Sequence, residues 1–425
     1  MSRHVDPQAT LSGSLRVPGD KSASHRALML SALAAGESTI VGLSRGHDVA
    51  STSQIMVQLG ARRHDEAGHA VVEGPSDGLR ASDEPLQCAN SGTTIRLVSG
   101  IVSGLEGRHL LEGDASLSRR PMDRIATPLG LMGSKVRGRG PRVTPPLEII
   151  GSSGLHGIDY EVPTPSAQVK SSILLAGLFA RGDTVVSEAV RTRTSTEDML
   201  RQAGVDVSSE DRGPGRRVTL RPSRPRPQAW RVPADPSQAA FFCVLGVIHP
   251  DAQIELLDVE DAPERVGFVH VLRRMGADLT QAPGASGATL TARSSLLSST
   301  EVHAREIPSV DEVPVLTVAA AAASGVSAFR DMVELRLKES DRFEGSLRLA
   351  EGLGCRVWSD GDDFFIEGLG SSRRFQTFSF DAGLDHRFVM SSAVAGVAGQ
   401  GCDIEGADTV ASSYPNFFDD LASLA

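Results

Sequence analysis

One arrangement of apolar and polar positions recurs along the chain: a helical run, a break of small residues around glycine, then a strand of alternating character. It occurs as QLGARRHDEAGHAVVEG from Gln58, LMGSKVRGRGPRV from Leu131, QAGVDVSSEDRGPGRRVTL from Gln202, RMGADLTQAPGASGATLTA from Arg274 and GLGCRVWSDGDDFFIEG from Gly352. Glycine that ends a helix before a strand is ordinary C-cap chemistry. The central glycines Gly60, Gly133, Gly204, Gly276 and Gly354 stand 73, 71, 72 and 78 residues apart, and so regular an interval marks an internal repeat. The closing FFDDLASLA reads as the last helix of a sixth copy. The pattern therefore predicts six mixed units of about 71 residues, 425 divided by six, in a layered α/β architecture rather than a helical solenoid.

A second echo divides these units. RVPGDKSAS from Arg16 resembles RVPADPSQA from Arg231, each a proline-containing turn between a short strand and an apolar helix. Before the second lies the Pro-rich, basic RPSRPRPQAW, which is unsuited to regular structure. A chain of 425 residues is also too long for one core of ordinary size. Read as crossings between domains, the two echoes predict one domain over 18–231 and another made of 1–17 and 232–425. Two linkers of this kind form a two-stranded hinge and invite closure over a cleft.

Composition narrows the classes. With 40% apolar and 23% charged residues the chain has the balance of a soluble globular protein. Its net charge of -10 argues against a general nucleic-acid or membrane-surface binder. Cys88, Cys243, Cys355 and Cys402 form no CxxC pair and no Cys/His cluster, so neither a disulfide framework nor a metal site is expected, and a reducing cytoplasm fits. MSRHVDPQAT carries no targeting character. The most apolar stretch, 313–323, is too short to cross a bilayer and reads as a buried helix.

Candidate chemistry gathers at helix starts. In PGDKSASHR a turn and an amphipathic helix place Lys21, Ser22 and Arg26 where free backbone N–H groups and the helix dipole favour anions. CANSGTTIR brings Asn90 and Gly92 to a second start, where glycine lets backbone approach an anion. Arg119 and Arg120, with Pro121 at an expected helix start, offer a fork for carboxylate or phosphate. Ser166, Ala167 and Gln168 open a third polar cap, and the segment 192–197, with Arg193, a fourth. Asp311 and Glu312 precede a long apolar helix. In ELRLKESDR, which holds Glu334, Lys338, Glu339 and Arg342, the alternation through Lys338 predicts a strand edge running into a helix; His386 and Arg387 open a small-residue helix. Singly, each fits a capped turn, a solvated charge or a structural histidine as well. Together they are what a cleft for two multiply anionic substrates requires.

GDKSASHRALML, ANSGTTIR, SRRPMDR, SAQVKSSILLAGL, IPSVDEVPVL, ELRLKESDR and DHRFVMSSAV, in this order over essentially the whole chain, resemble the motifs of the 5-enolpyruvylshikimate-3-phosphate synthase family. The resemblance implies an α/β (α+β) fold of two similar domains, each of three βαβαββ repeats with helices packed inside sheet walls, an inside-out α/β barrel. It implies transfer of the enolpyruvyl group of phosphoenolpyruvate to the 5-hydroxyl of shikimate 3-phosphate, in aromatic amino acid biosynthesis. A cytoplasmic monomer is implied, with no cofactor, no metal, no nucleic-acid or membrane partner, and the two small molecules as its partners.

Carried over by position, Lys21 reaches both substrates. Ser22, Arg26, Ser166, Ala167, Gln168, Arg193, Asp311, Glu334 and Lys338 are implied for shikimate 3-phosphate. Asn90, Gly92, Arg120, Gln168, Arg342, His386 and Arg387 are implied for phosphoenolpyruvate. Asp311 is assigned to take the hydroxyl proton, and Glu339 or Lys21 to protonate the methylene carbon. The chain departs from better-known members at Leu97, where others have proline, at Ala167, where they have serine, and at Ser412, a lysine in some relatives. The sister transferase for UDP-N-acetylglucosamine is the nearest alternative, but it carries a loop cysteine that LEGDASLSRRPMD lacks and a Lys-Asn pair in place of Lys21-Ser22. A non-catalytic anion-binding relative is a further alternative, against which Lys21, Asp311, Glu339 and Arg342 speak.

Overall fold

The computed structural model describes residues 1–284, 287–307, 309–370 and 374–425. Pro308 of IPSVDEVPVL, and Ala285 and Ser286 of the fourth repeated phrase, lie outside the described residues.

Each repeated phrase is the end of a helix, a glycine and an antiparallel hairpin, where the sequence pattern suggested a single strand. The helix His47–Gln58, for example, leads through Gly60 into Arg62–Glu66 and His69–Gly74. The five glycines have φ of 111°, 109°, 78°, 96° and 92°. At Gly60 and Gly354 an added Cβ would meet nothing within 4 Å, so left-handed backbone, not crowding, selects glycine there. The first hairpin strands, such as Arg62–Glu66 and Arg356–Asp360, are almost wholly exposed. They carry no alternation to mark them as separate from the second strands, of which Thr144–Gly151 alternates strictly.

The chain divides into two compact units, Lys21–Val232 and the combination of Met1–Asp20 with Pro233–Ala425. In the first, Leu86–Gln87, Gly107–Glu112, Thr144–Gly151 and Lys135–Arg139 lie side by side in that order, the first pair parallel and the rest antiparallel. Asp159–Val162, Thr184–Glu188, Gly215–Leu220 and Val207–Arg212 repeat this arrangement. The remaining sheet, Gly36–Val41, His69–Gly74 and Arg62–Glu66, takes its parallel edge strand from distant Ala229–Arg231. Inside these walls run the helices Lys21–Leu33, Gly92–Ser103 and Ala167–Gly177. The first, expected to be amphipathic, is buried without a break from Ser24 to Leu33, because sheet and helix cover it on all sides. Gly100 permits the second and third to touch: a Cβ there would stand 2.2 Å from the Ser172 carbonyl oxygen.

The other unit repeats the plan. Leu11–Leu15 completes the sheet of Ala252–Val259, Ala288–Arg293 and Asp278–Pro283, and Glu301–His303 begins the sheet of Ser324–Arg330, Asp363–Leu369 and Arg356–Asp360. In the sixth copy Arg3–Val5 pairs antiparallel with Cys402–Glu405, which lies parallel to Phe378–Asp381. The helices Pro236–Ile248, Val313–Ala322 and His386–Ala398 are buried within. The expected closing helix is Phe417–Ala422, with Phe417 set among Phe241, Phe242 and Tyr414. All four cysteines are buried free thiols. Among the described residues no helix is long and apolar enough to cross a membrane, and no group of three His, Cys, Asp or Glu could hold a metal ion.

Candidate active site

In the unit Lys21–Val232 the candidate residues other than Arg120 and Arg193 sit at or near the starts of the three inner helices. Lys21 opens the first, its Nζ 2.7 Å from Asp48 Oδ2. One turn on, Arg26 is 5% exposed; it donates from Nη1 to the Ser22 carbonyl, from Nη2 to Ser171 Oγ at 2.8 Å and from Nε to Thr196 Oγ1 at 2.6 Å. Between them His25 is buried against Thr52. Burial, with Lys21 and Arg26 alongside, pushes its pKa well below the ordinary value. The second helix starts at Gly92, capped by Ser91. A Cβ on Gly92 would stand 2.8 Å from Arg96 Nη1 and 3.0 Å from Arg120 Nη1, so glycine lets two guanidiniums close on one backbone position. Arg120 donates to Asn90 Oδ1 at 2.6 Å.

The third helix begins at Ala167, capped by Ser166. Gln168 receives a 2.7 Å hydrogen bond from Arg96 and donates to Thr93 at 3.0 Å. Arg193 is half-buried just before the fourth start, the helix Ser195–Gln202. The structure thus joins Gly92 to Gln168 through Arg96, Asn90 to Arg120, and Ser22 to Arg26. Pro121, expected at a helix start, lies outside the helix Asp123–Leu131, whose N-cap is Met122. The N–H groups of Met122 and Asp123 donate instead to the Arg142 carbonyl, which holds Arg120 in an extended conformation.

The other unit gathers its candidates around one guanidinium. Arg342, at the start of Arg342–Gly352 and 1% exposed, donates from Nε to Asp385 Oδ2 at 2.8 Å and from Nη1 to Asp311 Oδ1 at 2.9 Å. Its Nη2 lies 2.7 Å from Glu339 Oε2. Arg387 Nη2 faces Asp311 Oδ2 at 3.5 Å, and Lys338 pairs with Glu334 at 2.7 Å and approaches Asp311 at 4.0 Å. Asp385 caps the helix that His386 opens, and His386 is buried. Burial alone would raise the Asp311 pKa, but Arg387, Lys338 and Arg342 outweigh it and hold the carboxyl well below its usual range. Asp385 is lowered in the same way, burial being outweighed chiefly by Arg342.

Residues 334–338, read as a strand edge, fall in the 3-10 turn Met332–Leu337 and its C-cap Lys338. The apolar positions that count are Met332 and Leu335, both buried and three apart, whereas Val333 and Leu337 are exposed; the true spacing is helical. Ser412 Oγ donates to the Thr409 carbonyl and is engaged locally.

Four participants escaped the sequence reading of the site: Asp48, Arg96, Lys170 and Asp385. Arg96 and Lys170 lie inside the motifs ANSGTTIR and SAQVKSSILLAGL, and Asp385 directly precedes His386. For Asp48, 27 residues from its lysine, no local signal exists.

The arrangement offers guanidiniums, an ammonium, hydroxyls and helix N-termini for anions in one unit, and carboxylates interlocked with cations in the other. The EPSP synthase (3-phosphoshikimate 1-carboxyvinyltransferase) family profile matches residues 5–421. Proteins named 3-phosphoshikimate 1-carboxyvinyltransferase from Streptococcus sanguinis and Streptococcus thermophilus are each 38% identical, over 97% of this chain and 97% of the relative. An EPSP synthase structure from Acinetobacter baumannii superposes with a TM-score of 0.86 at 36% identity, covering 100% of this chain and 98% of the other. The enolpyruvyl transferase NikO from Streptomyces tendae, with a TM-score of 0.77 at 20% identity over 99% of this chain and 96% of its own, shares the fold. With a profile match across nearly its whole length and relatives this similar from end to end, the chain belongs to the EPSP synthase family.

Proposed function

We propose that the protein transfers the enolpyruvyl group of phosphoenolpyruvate to the 5-hydroxyl of shikimate 3-phosphate and releases phosphate, a step of aromatic amino acid biosynthesis. The observation that carries this reading is the Asp311–Arg342–Glu339 cluster, with Arg387 beside it, in a chain of this family. Two carboxylates suited to proton transfer are there held against the cations that an anionic substrate would engage.

In the proposed reaction Arg120, Arg342 and Arg387 restrain the carboxylate and phosphate of phosphoenolpyruvate, with Asn90, Gly92, Gln168 and His386 completing its surroundings. Arg26, Ser22, Ser166, Ala167, Gln168 and Arg193 hold shikimate 3-phosphate by its phosphate and ring, and Asp311, Glu334 and Lys338 take its hydroxyls. Positioning turns a bimolecular meeting into a local one. Asp311 accepts the proton of the 5-hydroxyl as that oxygen bonds to the central carbon of phosphoenolpyruvate, and Glu339 or Lys21 delivers a proton to the methylene carbon. The tetrahedral product then loses phosphate as the new methyl group gives up a proton. Asp311 is a weak base while Arg342, Arg387 and Lys338 surround it. A substrate anion that draws the arginines toward itself raises its basicity when the hydroxyl is in place. A cytoplasmic monomer belongs to the same reading, and light scattering tests the monomer.

The test is phosphate release from phosphoenolpyruvate with shikimate 3-phosphate, with UDP-N-acetylglucosamine, and with neither. Release with shikimate 3-phosphate alone, abolished in Lys21→Ala, supports the reading. Release only with the nucleotide sugar moves the chain to the sister activity, and no release with either leaves a non-catalytic relative.

A further inference from the structure

Lys170, Glu188 and Glu197 form an ion triad sealed from solvent. Lys170 Nζ stands 2.7 Å from Glu188 Oε2 and 2.7 Å from Glu197 Oε1, and all three side chains are 0% exposed. Removing such groups from water is costly, and apolar side chains of similar volume commonly stabilise a core as well or better. The value of the triad lies in what it orients.

Each member is one step from a group of the anion site. Lys170 precedes Ser171, whose hydroxyl accepts from Arg26 Nη2 and lies 2.6 Å from Thr196 Oγ1. Glu197 follows Thr196, the acceptor of Arg26 Nε. Glu188, at the end of the strand Thr184–Glu188, accepts from Thr192 Oγ1, and Thr192 precedes Arg193. On its far side the same segment is pinned by Arg191, which donates to the Gly213 carbonyl at 2.9 Å. One ammonium therefore ties together an inner helix, a strand end and the helix Ser195–Gln202, beside Ser171 and Thr196, which receive Arg26, and beside the segment that carries Arg193.

We propose that Lys170, with Glu188 and Glu197, is a positioning device for the phosphate of shikimate 3-phosphate, fixing Arg26, Ser171 and Arg193 in one arrangement. The inference rests on the proposed function. None of the triad touches substrate; the three are positioning residues. Their effect falls on one substrate because Asn90, Arg120, Arg342, His386 and Arg387, proposed for phosphoenolpyruvate, hang from other elements, and Gln168 is held separately by Arg96 and Thr93.

Steady-state kinetics of Lys170→Met, Glu188→Gln and Glu197→Gln, with both substrates varied, test this. The glutamine variants keep shape and hydrogen-bonding capacity, and they carry the experiment if Lys170→Met does not fold. In folded variants the KM for shikimate 3-phosphate rises about 10-fold to 100-fold, the scale of a small misplacement. The KM for phosphoenolpyruvate and kcat stay within about twofold. An unchanged KM for shikimate 3-phosphate, or a parallel rise for both substrates as general loosening would give, overturns the inference alone. A wild-type protein that does not turn over shikimate 3-phosphate overturns the functional reading, and this inference with it.

Discussion

In the unit Lys21–Val232 the guanidiniums of Arg26, Arg96 and Arg120 donate to hydroxyl, amide and carbonyl oxygens. In the other unit Arg342 lies among Asp311, Glu339 and Asp385, and Arg387 faces Asp311. The two clusters use the same cation for different ends. Hydroxyl, amide and carbonyl acceptors orient a guanidinium without themselves cancelling its charge, which suits a standing receptor for phosphate. Carboxylate partners cancel it, so an incoming anion must displace them, and each displaced carboxylate gains basicity as its cation leaves. The first cluster is built to hold. The second is built to exchange partners.

The largest expected effect follows from removing the hub of the second cluster. Arg342→Met leaves Asp385 without its main counter-charge and removes one of the three cations around Asp311. It should cost about 3–5 kcal/mol of stability and abolish phosphate release; a melting temperature equal to wild type would show that the hub is not needed to neutralise its neighbours. Next, Asp311→Asn should lower kcat by about 10²–10⁴-fold with little change in either KM, and a variant with full kcat would remove Asp311 as the base. In the first cluster, Gly92→Ala presses a methyl group against two flexible guanidinium ends. The fold should tolerate it while the KM for phosphoenolpyruvate rises roughly tenfold, a loss of about 1.4 kcal/mol; an unchanged KM would separate Gly92 from that substrate.

The smallest expected effect is on acid stability, and here the units should differ. His25 is held neutral by burial. Its depressed pKa contributes stability that is complete above the unfolded value of about 6.5 and lost as pH falls toward the folded value. Asp311 and Asp385 are also depressed, but their contribution is complete above about 3.9 and lost only below it. The hydrogen-exchange protection of the helix Lys21–Leu33, relative to the intrinsic exchange rate, should therefore fall as pH drops below about 6.5, before that of Val313–Ala322, which holds no histidine and follows Asp311. His25→Asn should flatten this response. Simultaneous loosening of both helices would erase the contrast.

The repeat was legible because a left-handed C-terminal cap admits little but glycine, and five such positions leave a countable interval. The helix starts were legible for a related reason: caps and charges cluster in a few consecutive residues. Pairings between distant segments left no such trace. Nothing local in Leu11–Leu15, Ala229–Arg231 or Arg3–Val5 says which sheet each completes, and nothing near Lys21 points to Asp48. Leu335 and Leu337 simulated a strand because an exposed apolar residue was counted with a buried one. Lys170 was concealed by its surroundings: inside an apolar helix a single lysine gives no sign that two carboxylates await it. Family resemblance supplied the expected roles of Arg342, His386 and Arg387, which charge pattern alone would have left as solvated groups.

The strand Arg3–Val5 finds its partner in Cys402–Glu405, so during synthesis it must wait for a segment 399 residues further on, the separation of His4 and Asp403. At ordinary elongation rates of about 5–20 residues per second, that interval is roughly 20–80 s. Lys21–Val232 can assemble during this time, since its edge strand Ala229–Arg231 closes its own first sheet. The strand Arg3–Val5 meanwhile travels without its partner, and translation speed, together with any chaperone that shields an open strand, decides whether it still finds its place.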